Sequence, residues 1–372
     1  MINLNKLKFD GNFHEFENEI FKNNLNFLLS EISSKKFTLL GKIGIKVLFK
    51  QCYHQRQRYI KHIANDDTIK SYNIQSPIFV SGLPRSGTTY LHNLLIDVFD
   101  RDGLHFWELS EPIPYFKNKN IDHRLRKAKS FLLFLFYRIF LPKLQKMHPV
   151  GISSYEECWH LFKINLGIYN LDFQYNIHKY GNWISNNTIG KTYQEYKNML
   201  KIISKSNNKK KLVLKCPEHI LFHKNLKENF PECKIIWIHR DPLKVIASYS
   251  SMTYQIQKFF LKNITKKAVG EYVENKYLEM INTSIKNREL NNFEICDINY
   301  LDLKNNPKNT LEKISDKINV DIKNKKPTQL ISNLKKLKSK KSYSPDEFSI
   351  NKRKVYQNFK TYMDQFSIES EF

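Results

Sequence analysis

The chain has 372 residues, 41% hydrophobic and 13% aromatic, enough to bury a sizeable core; it is long for one domain and short for two large ones. It carries 61 basic against 36 acidic residues, a net charge of +25, and the excess is mostly lysine spread along the chain rather than gathered into a stripe. Such a distribution attracts anions in general but gives no specific nucleic-acid surface, and five widely spaced cysteines without a C-x-x-C pair exclude a disulfide framework and a cysteine zinc site.

The first residues lack the apolar core of a signal peptide, so a reducing, cytoplasmic setting is expected. Residues 12–64 repeat apolar positions at three and four, as in Phe21, Leu25, Leu28 and Leu29, and predict two or three helices; residues 1–74 are expected to be a helical arm packed on a main domain of residues 75–372. From Ser76 to Leu95 the chain reads strand, loop, helix. An apolar run (Ile78-Phe79-Val80) enters a turn with two glycines and a proline, and Leu91, Leu94 and Leu95 then follow at helical spacing. A loop of this kind cradles anions, because main-chain N–H groups and the positive end of the helix dipole converge on one concavity. Gly82 to Gly87 has the spacing of G-x-x-x-x-G-K-[ST], with Thr88 where a nucleoside triphosphatase carries lysine.

Leu104 to Pro114 predicts a short strand running into a proline-broken loop. Residues 121–165 read as helices broken near Pro142 and Pro149, part of an insertion over about 121–205. The run Phe131–Leu141 holds Arg138 and is far shorter than the roughly 20 residues of a membrane span; a helix apolar nearly all round is either core, the reading favoured here, or the wall of an apolar pocket. A helix is predicted over 191–204 and a polar loop over 204–210. Then come strand 211–215, helix 217–229, strand 234–239, a helix from Pro242 capped by Asp241, helix 269–289, strand 293–298 and a final helix over 351–366. Strands alternating with helices predict an α/β fold, a parallel sheet covered on both faces.

Two strands beyond the loop, His239-Arg240-Asp241-Pro242 sets an arginine at a strand's carboxyl end, and Ser248 follows two helical turns later. Together these residues resemble the sulfotransferase superfamily that uses 3′-phosphoadenosine 5′-phosphosulfate, over roughly residues 75–318 and in wording closest to its bacterial-type branch. That resemblance implies a P-loop-like three-layer sandwich with additional N-terminal and inserted helices. In it Arg85, Ser86, Gly87, Thr88 and Thr89 hold the 5′-phosphosulfate, Arg240 and Ser248 take the 3′-phosphate, and Tyr300 lies near the adenine. Lys215 matches the lysine beside the transferred sulfuryl group. The cytosolic branch has a catalytic histidine two residues after that lysine, where this chain has Pro217, so the base must come from elsewhere: Glu108 first, near where the tyrosylprotein branch carries a glutamate, then Glu111 and His219.

The implied reaction is metal-free, in-line transfer of a sulfuryl group to a hydroxyl or amine, leaving 3′-phosphoadenosine 5′-phosphate. A small-molecule or lipid-like acceptor is expected, with no specific nucleic-acid partner, and with peripheral but not transmembrane contact with a membrane. Lys338, Lys340 and Lys341 are candidates for a lid over the cofactor. The rival readings are a P-loop nucleotide kinase with a degenerate loop and a catalytically inactive sulfotransferase-like interaction protein.

Overall fold

The computed structural model describes residues 19–324 and 343–372, and the three candidate lid lysines lie outside them. Helices α1 (Glu19–Ser33), α2 (Leu39–Ala64) and α3 (Thr68–Ser71) precede strand β1 (Ile78–Ser81), which feeds α4 (Thr88–Val98). A helical stretch follows, with α5 (Phe106–Ser110), α6 (Lys119–Phe140), α7 (Pro142–Met147), a 3₁₀ helix at Cys158–Asn165, α8 (Leu171–Tyr175), α9 (Tyr180–Asn187) and α10 (Ile189–Asn207). Next come β2 (Val213–Lys215), a 3₁₀ helix at Pro217–Phe222, α11 (His223–Asn229), β3 (Lys234–His239), α12 (Pro242–Phe260), α13 (Lys266–Asn291) and β4 (Cys296–Asn299). Helices α14 (Tyr300–Asn305) and α15 (Pro307–Ile318), a 3₁₀ helix at Pro345–Phe348, and helices α16 (Lys352–Asn358) and α17 (Lys360–Gln365) complete the described elements.

The four strands form one parallel sheet in the order β2-β1-β3-β4. Ile78, Phe79 and Val80 of β1 and Ile236, Trp237 and Ile238 of β3 are fully buried, as befits a parallel sheet covered on both faces. Register sets Val80 opposite Lys215, Ser81 opposite Trp237, and His239 opposite Asn299, so the carboxyl ends of all four strands open on one edge. The chain passes from β1 to β2 on one side and then to β3 on the other. This reversal beside β1 is where ligand crevices form in α/β sheets.

The chain divides into two compact units. One, containing the sheet, comprises residues 75–104, 211–252 and the described residues from 265 on. The other is helical and comprises residues 19–74, 105–210 and 253–264, so the N-terminal helices group with the inserted region. Within this helical unit Thr38 caps α2. Its hydroxyl accepts from the Gly41 N–H at 2.9 Å and donates to the Phe259 carbonyl at 2.7 Å. Any side chain at Gly41 meets the main chain of Phe260, because a Cβ there would lie 2.0 Å from its carbonyl oxygen. Gly41→Ala is therefore expected to lower the thermal midpoint, since overpacking costs about 1–3 kcal/mol and outweighs the roughly 1 kcal/mol of helix propensity alanine gains. An unchanged or higher midpoint would mean that the Phe260 backbone yields freely.

Two sequence expectations are corrected. The predicted strand after Leu104 is helix α5, because His105 and Glu108 form a capping box that starts a helix; strand pairing survives only as the isolated bridge between His105 and Tyr155. The greasy run of residues 131–141 is mostly not core: Leu141 is buried and Leu133 lines a cleft, but the rest is half-buried or exposed. Helix α6 buries Asp122, Arg126 and Ser130 and turns Phe131, Leu132, Leu135, Ile139 and Phe140 outward.

Candidate active site

The loop after β1 is shaped by three residues of positive φ. Gly82 (+147°) and Gly87 (+103°) take conformations that L side chains rarely adopt, and Arg85 sits between them at +74°. Their lack of a Cβ also permits close approach. One at Gly82 would lie 2.7 Å from the Ile238 carbonyl oxygen, and one at Gly87 would lie 2.7 Å from the Tyr300 ring. Gly87 then leads into α4 with no side chain capping the helix, so the N–H groups of its first turn face the loop's concavity. Ser86, 1% exposed, has a hydroxyl with no partner in the protein, the kind of orphaned donor that a bound anion satisfies.

The other three strand ends each contribute a matched residue. Lys215 ends β2; it is fully buried, and its ammonium donates to the Thr89 hydroxyl at 3.0 Å. Arg240 follows β3, and its guanidinium lies 3.8 Å from the centroid of the Tyr300 ring, which follows β4. Arg85 Nε donates to the Ser248 hydroxyl at 3.2 Å, and Arg240 donates to the Arg85 carbonyl at 3.2 Å. Arg85, Ser86, Gly87, Thr88, Thr89, Lys215, Arg240, Ser248 and Tyr300 thus belong to one unit and gather at its sheet edge.

Arg240 already holds an anion. It forks onto the Glu371 carboxylate through two hydrogen bonds, Nε to Oε1 at 2.6 Å and Nη2 to Oε2 at 2.9 Å, while the Glu371 N–H donates to Asp241 at 2.7 Å. Glu371 was missed in the sequence because no spacing ties it to position 240. Tyr90 was also missed. Its hydroxyl is buried without a partner, and burial, with the nearby Tyr300, pushes its pKa up to about 12.

Of the three proposed bases, Glu108 and Glu111 lie in the helical unit and His219 in the sheet unit. Glu108 is 1% exposed, and its Oε2 accepts from the His105 N–H and from the Lys209 ammonium, both at 2.7 Å. Glu111 is engaged by the Tyr115 hydroxyl at 2.7 Å and by Arg58 at 3.3 Å. His219 is wholly buried, its ring edge-on to Phe79 at 5.4 Å. Burial, reinforced by His223, pushes its pKa down to about 3, and burial does the same to His223. A neutral imidazole sealed in the core is a poor proton acceptor near neutral pH.

These two histidines have a consequence for acid stability. The unfolded chain protonates them near pH 6.5 and the native state does not, so stability is lost as pH falls from about 6.5 toward about 3, at up to roughly 1.4 kcal/mol per pH unit for each. Denaturant unfolding at pH 5 is expected to show a loss of about 4 kcal/mol relative to pH 7 from the pair. Equal stability at both would contradict burial of the neutral rings.

Fold and sheet edge together define an α/β protein of the P-loop-like class. Residues 77–324 match the Sulfotransferase family, and the chain belongs to it; it is a transferase. Its fold is that of the sulfotransferase STF9 from Mycobacterium avium, with 17% identity, a TM-score of 0.78, and coverage of 99% of this chain and 95% of that one. The sulfotransferase STF1 from Mycobacterium tuberculosis H37Rv is similar too, at 20% identity and a TM-score of 0.76, covering 93% of each chain. No curated protein sequence matches the chain significantly. Among the described residues no helix is long and apolar enough to cross a membrane.

Proposed function

We propose that this enzyme moves the sulfuryl group of 3′-phosphoadenosine 5′-phosphosulfate to a hydroxyl or amine of a small-molecule acceptor. The observation that carries this reading is the Arg240 guanidinium forked onto a carboxylate at the end of β3, an anion already seated beside the Arg85–Ser248 pair. A 3′-phosphate presents the same planar pair of oxygens to such a fork. The residues fit the rest of the nucleotide as well. The open N-terminus of α4 and the unpartnered Ser86 hydroxyl suit the 5′ end, and the half-buried Tyr300 offers a ring face for the base. When bound, the nucleotide supplies the sulfuryl group and the leaving phosphate.

In this reading Lys215 and Arg85 offset charge that builds on the equatorial and bridging oxygens, and the first-turn amides of α4 orient them. Glu108 takes the acceptor proton. That assignment rests on the family resemblance, and His219 is given a packing role. Calorimetric titration with 3′-phosphoadenosine 5′-phosphate, adenosine 5′-phosphate and Mg²⁺-ATP tests the donor without knowledge of the acceptor. Selective binding of the 3′-phosphorylated ligand is expected; equal or absent binding would refute it. Selective binding without transfer to any of a panel of alcohols and amines would instead favour an inactive, ligand-binding relative.

A further inference from the structure

Helix α6 is amphipathic in the inverted sense. Its buried positions are Asp122, Arg126 and Ser130, joined by polar contacts: Arg126 to Asp122 at 3.2 Å and the Ser130 hydroxyl to the Ser110 hydroxyl at 2.6 Å. Its outward face carries Phe131, Leu132, Leu135 and Ile139, of which Leu132 is 67% and Ile139 59% exposed. A surface helix normally turns its apolar stripe to the core, so this arrangement costs hydration free energy unless something covers it.

A second stripe runs beside it. On α2, Leu39, Ile43 and Val47 recur every four residues on the outer face, Leu39 at 75% and Val47 at 55% exposure. Both helices belong to the same unit, and both pack on the end of α12: Gly41 of α2 against the Phe260 carbonyl, and Phe136 of α6 edge-on to Phe259 at 6.3 Å. Between them a cleft of about 260 Å³ is lined by Val47 and Lys50 from α2 and by Lys129 and Leu133 from α6. The two helices thus border one cleft, and each turns an apolar stripe to solvent.

Their exposed charges are of one sign. Helix α2 contains no acidic residue in 26 positions, α7 none in six, and the only carboxylate of α6 is Asp122, buried at 2% exposure under Arg126. Exposed on these three helices are Lys42, Lys46, Lys50, Lys127, Arg138 and Lys143. The one carboxylate at the cleft, Glu111, is engaged by Arg58 and Tyr115. An apolar stripe flanked by cations and free of exposed carboxylates is the pattern of a helix lying in a membrane interface, where acyl chains take the apolar side chains and anionic headgroups take the lysines. An acidic protein would satisfy the lysines but leaves unexplained why no rim carboxylate is present to orient it. We propose that the outer face of α2 and α6 docks this unit peripherally on an anionic lipid bilayer, with α6, about 33 Å long, lying flat in the headgroup region.

Flotation of the full chain with vesicles tests this. Binding is expected to phosphatidylcholine vesicles containing phosphatidylglycerol, weaker with phosphatidylcholine alone, and diminished by added salt. The double variant Leu132→Glu, Ile139→Glu, altered only at exposed positions and checked for native circular dichroism, should bind mixed vesicles at least about tenfold less. A Lys42→Glu, Lys46→Glu variant should lose preference for the anionic lipid. A Lys304→Glu, Lys313→Glu variant, with the same charge change in the other unit, should bind as the parent does. The proposal is overturned if the parent chain ignores anionic vesicles, if the Leu132/Ile139 variant binds equally, or if the Lys304/Lys313 variant loses as much. It is also overturned if sedimentation shows a dimer that the Leu132/Ile139 changes dissociate, since a second copy would then cover the face.

Discussion

Replacing Arg240 by alanine is expected to weaken binding of 3′-phosphoadenosine 5′-phosphate by about thirtyfold or more, while Glu371→Gln is expected to strengthen it. The first follows from losing a forked, charge-assisted contact, worth about 2 kcal/mol. The second follows from the pair of hydrogen bonds, 2.6 and 2.9 Å long, that the Glu371 carboxylate makes with the same guanidinium. A 3′-phosphate and this carboxylate cannot share the fork, so measured affinity is intrinsic affinity reduced by the fraction of molecules in which Glu371 occupies it. Glutamine keeps the shape and one acceptor but not the charge. Calorimetry on both variants and on the double variant closes a cycle. Loss of affinity on removing Glu371 would mean that the carboxylate holds Arg240 in place for the ligand rather than competing with it.

The second large effect is expected at Lys215. Substitution by methionine, similar in length and without charge, should lower the transfer rate by about a hundredfold to a thousandfold, the cost of removing one preorganised charge-stabilising donor. The product nucleotide lacks the sulfuryl group, so its affinity should change little. Stability should not suffer, because Lys215 is fully buried and an apolar side chain there escapes the desolvation cost of the ammonium. Unaltered turnover with the donor and a working acceptor would remove Lys215 from the chemistry. A parallel loss of nucleotide affinity would make it a binding residue only.

Much of the sheet unit was readable because parallel sheets tolerate few sequences. Strand β3 must be apolar on both faces, and Ile235 to Ile238 satisfy that without interruption. The loop after β1 must turn through positive φ where the main chain meets Ile238 and Tyr300, which requires glycine at 82 and 87. Residues close to these signals in sequence, such as Arg85 and Arg240, were therefore legible as candidates. Glu371 was not, because it is a single carboxylate 131 residues from its partner with no periodic context. Helix α6 was misread for a different reason. Periodicity reports which residues share a face but not what that face meets, and here the polar face found buried partners. In α5, local capping by His105 and Glu108 outweighed the strand preference of an aromatic segment.

The contact between Glu371 and Arg240 bears on timing as well as on affinity. If the product is the 3′-phosphorylated nucleotide proposed above, the enzyme must shed a highly charged molecule, and the interactions that select it would also slow its departure. A tethered carboxylate at hydrogen-bonding distance can take over each N–H of the guanidinium as the phosphate loosens its hold, so the arginine need never be left bare. The residue that opposes entry would then hasten exit, and turnover would depend on how the two are balanced.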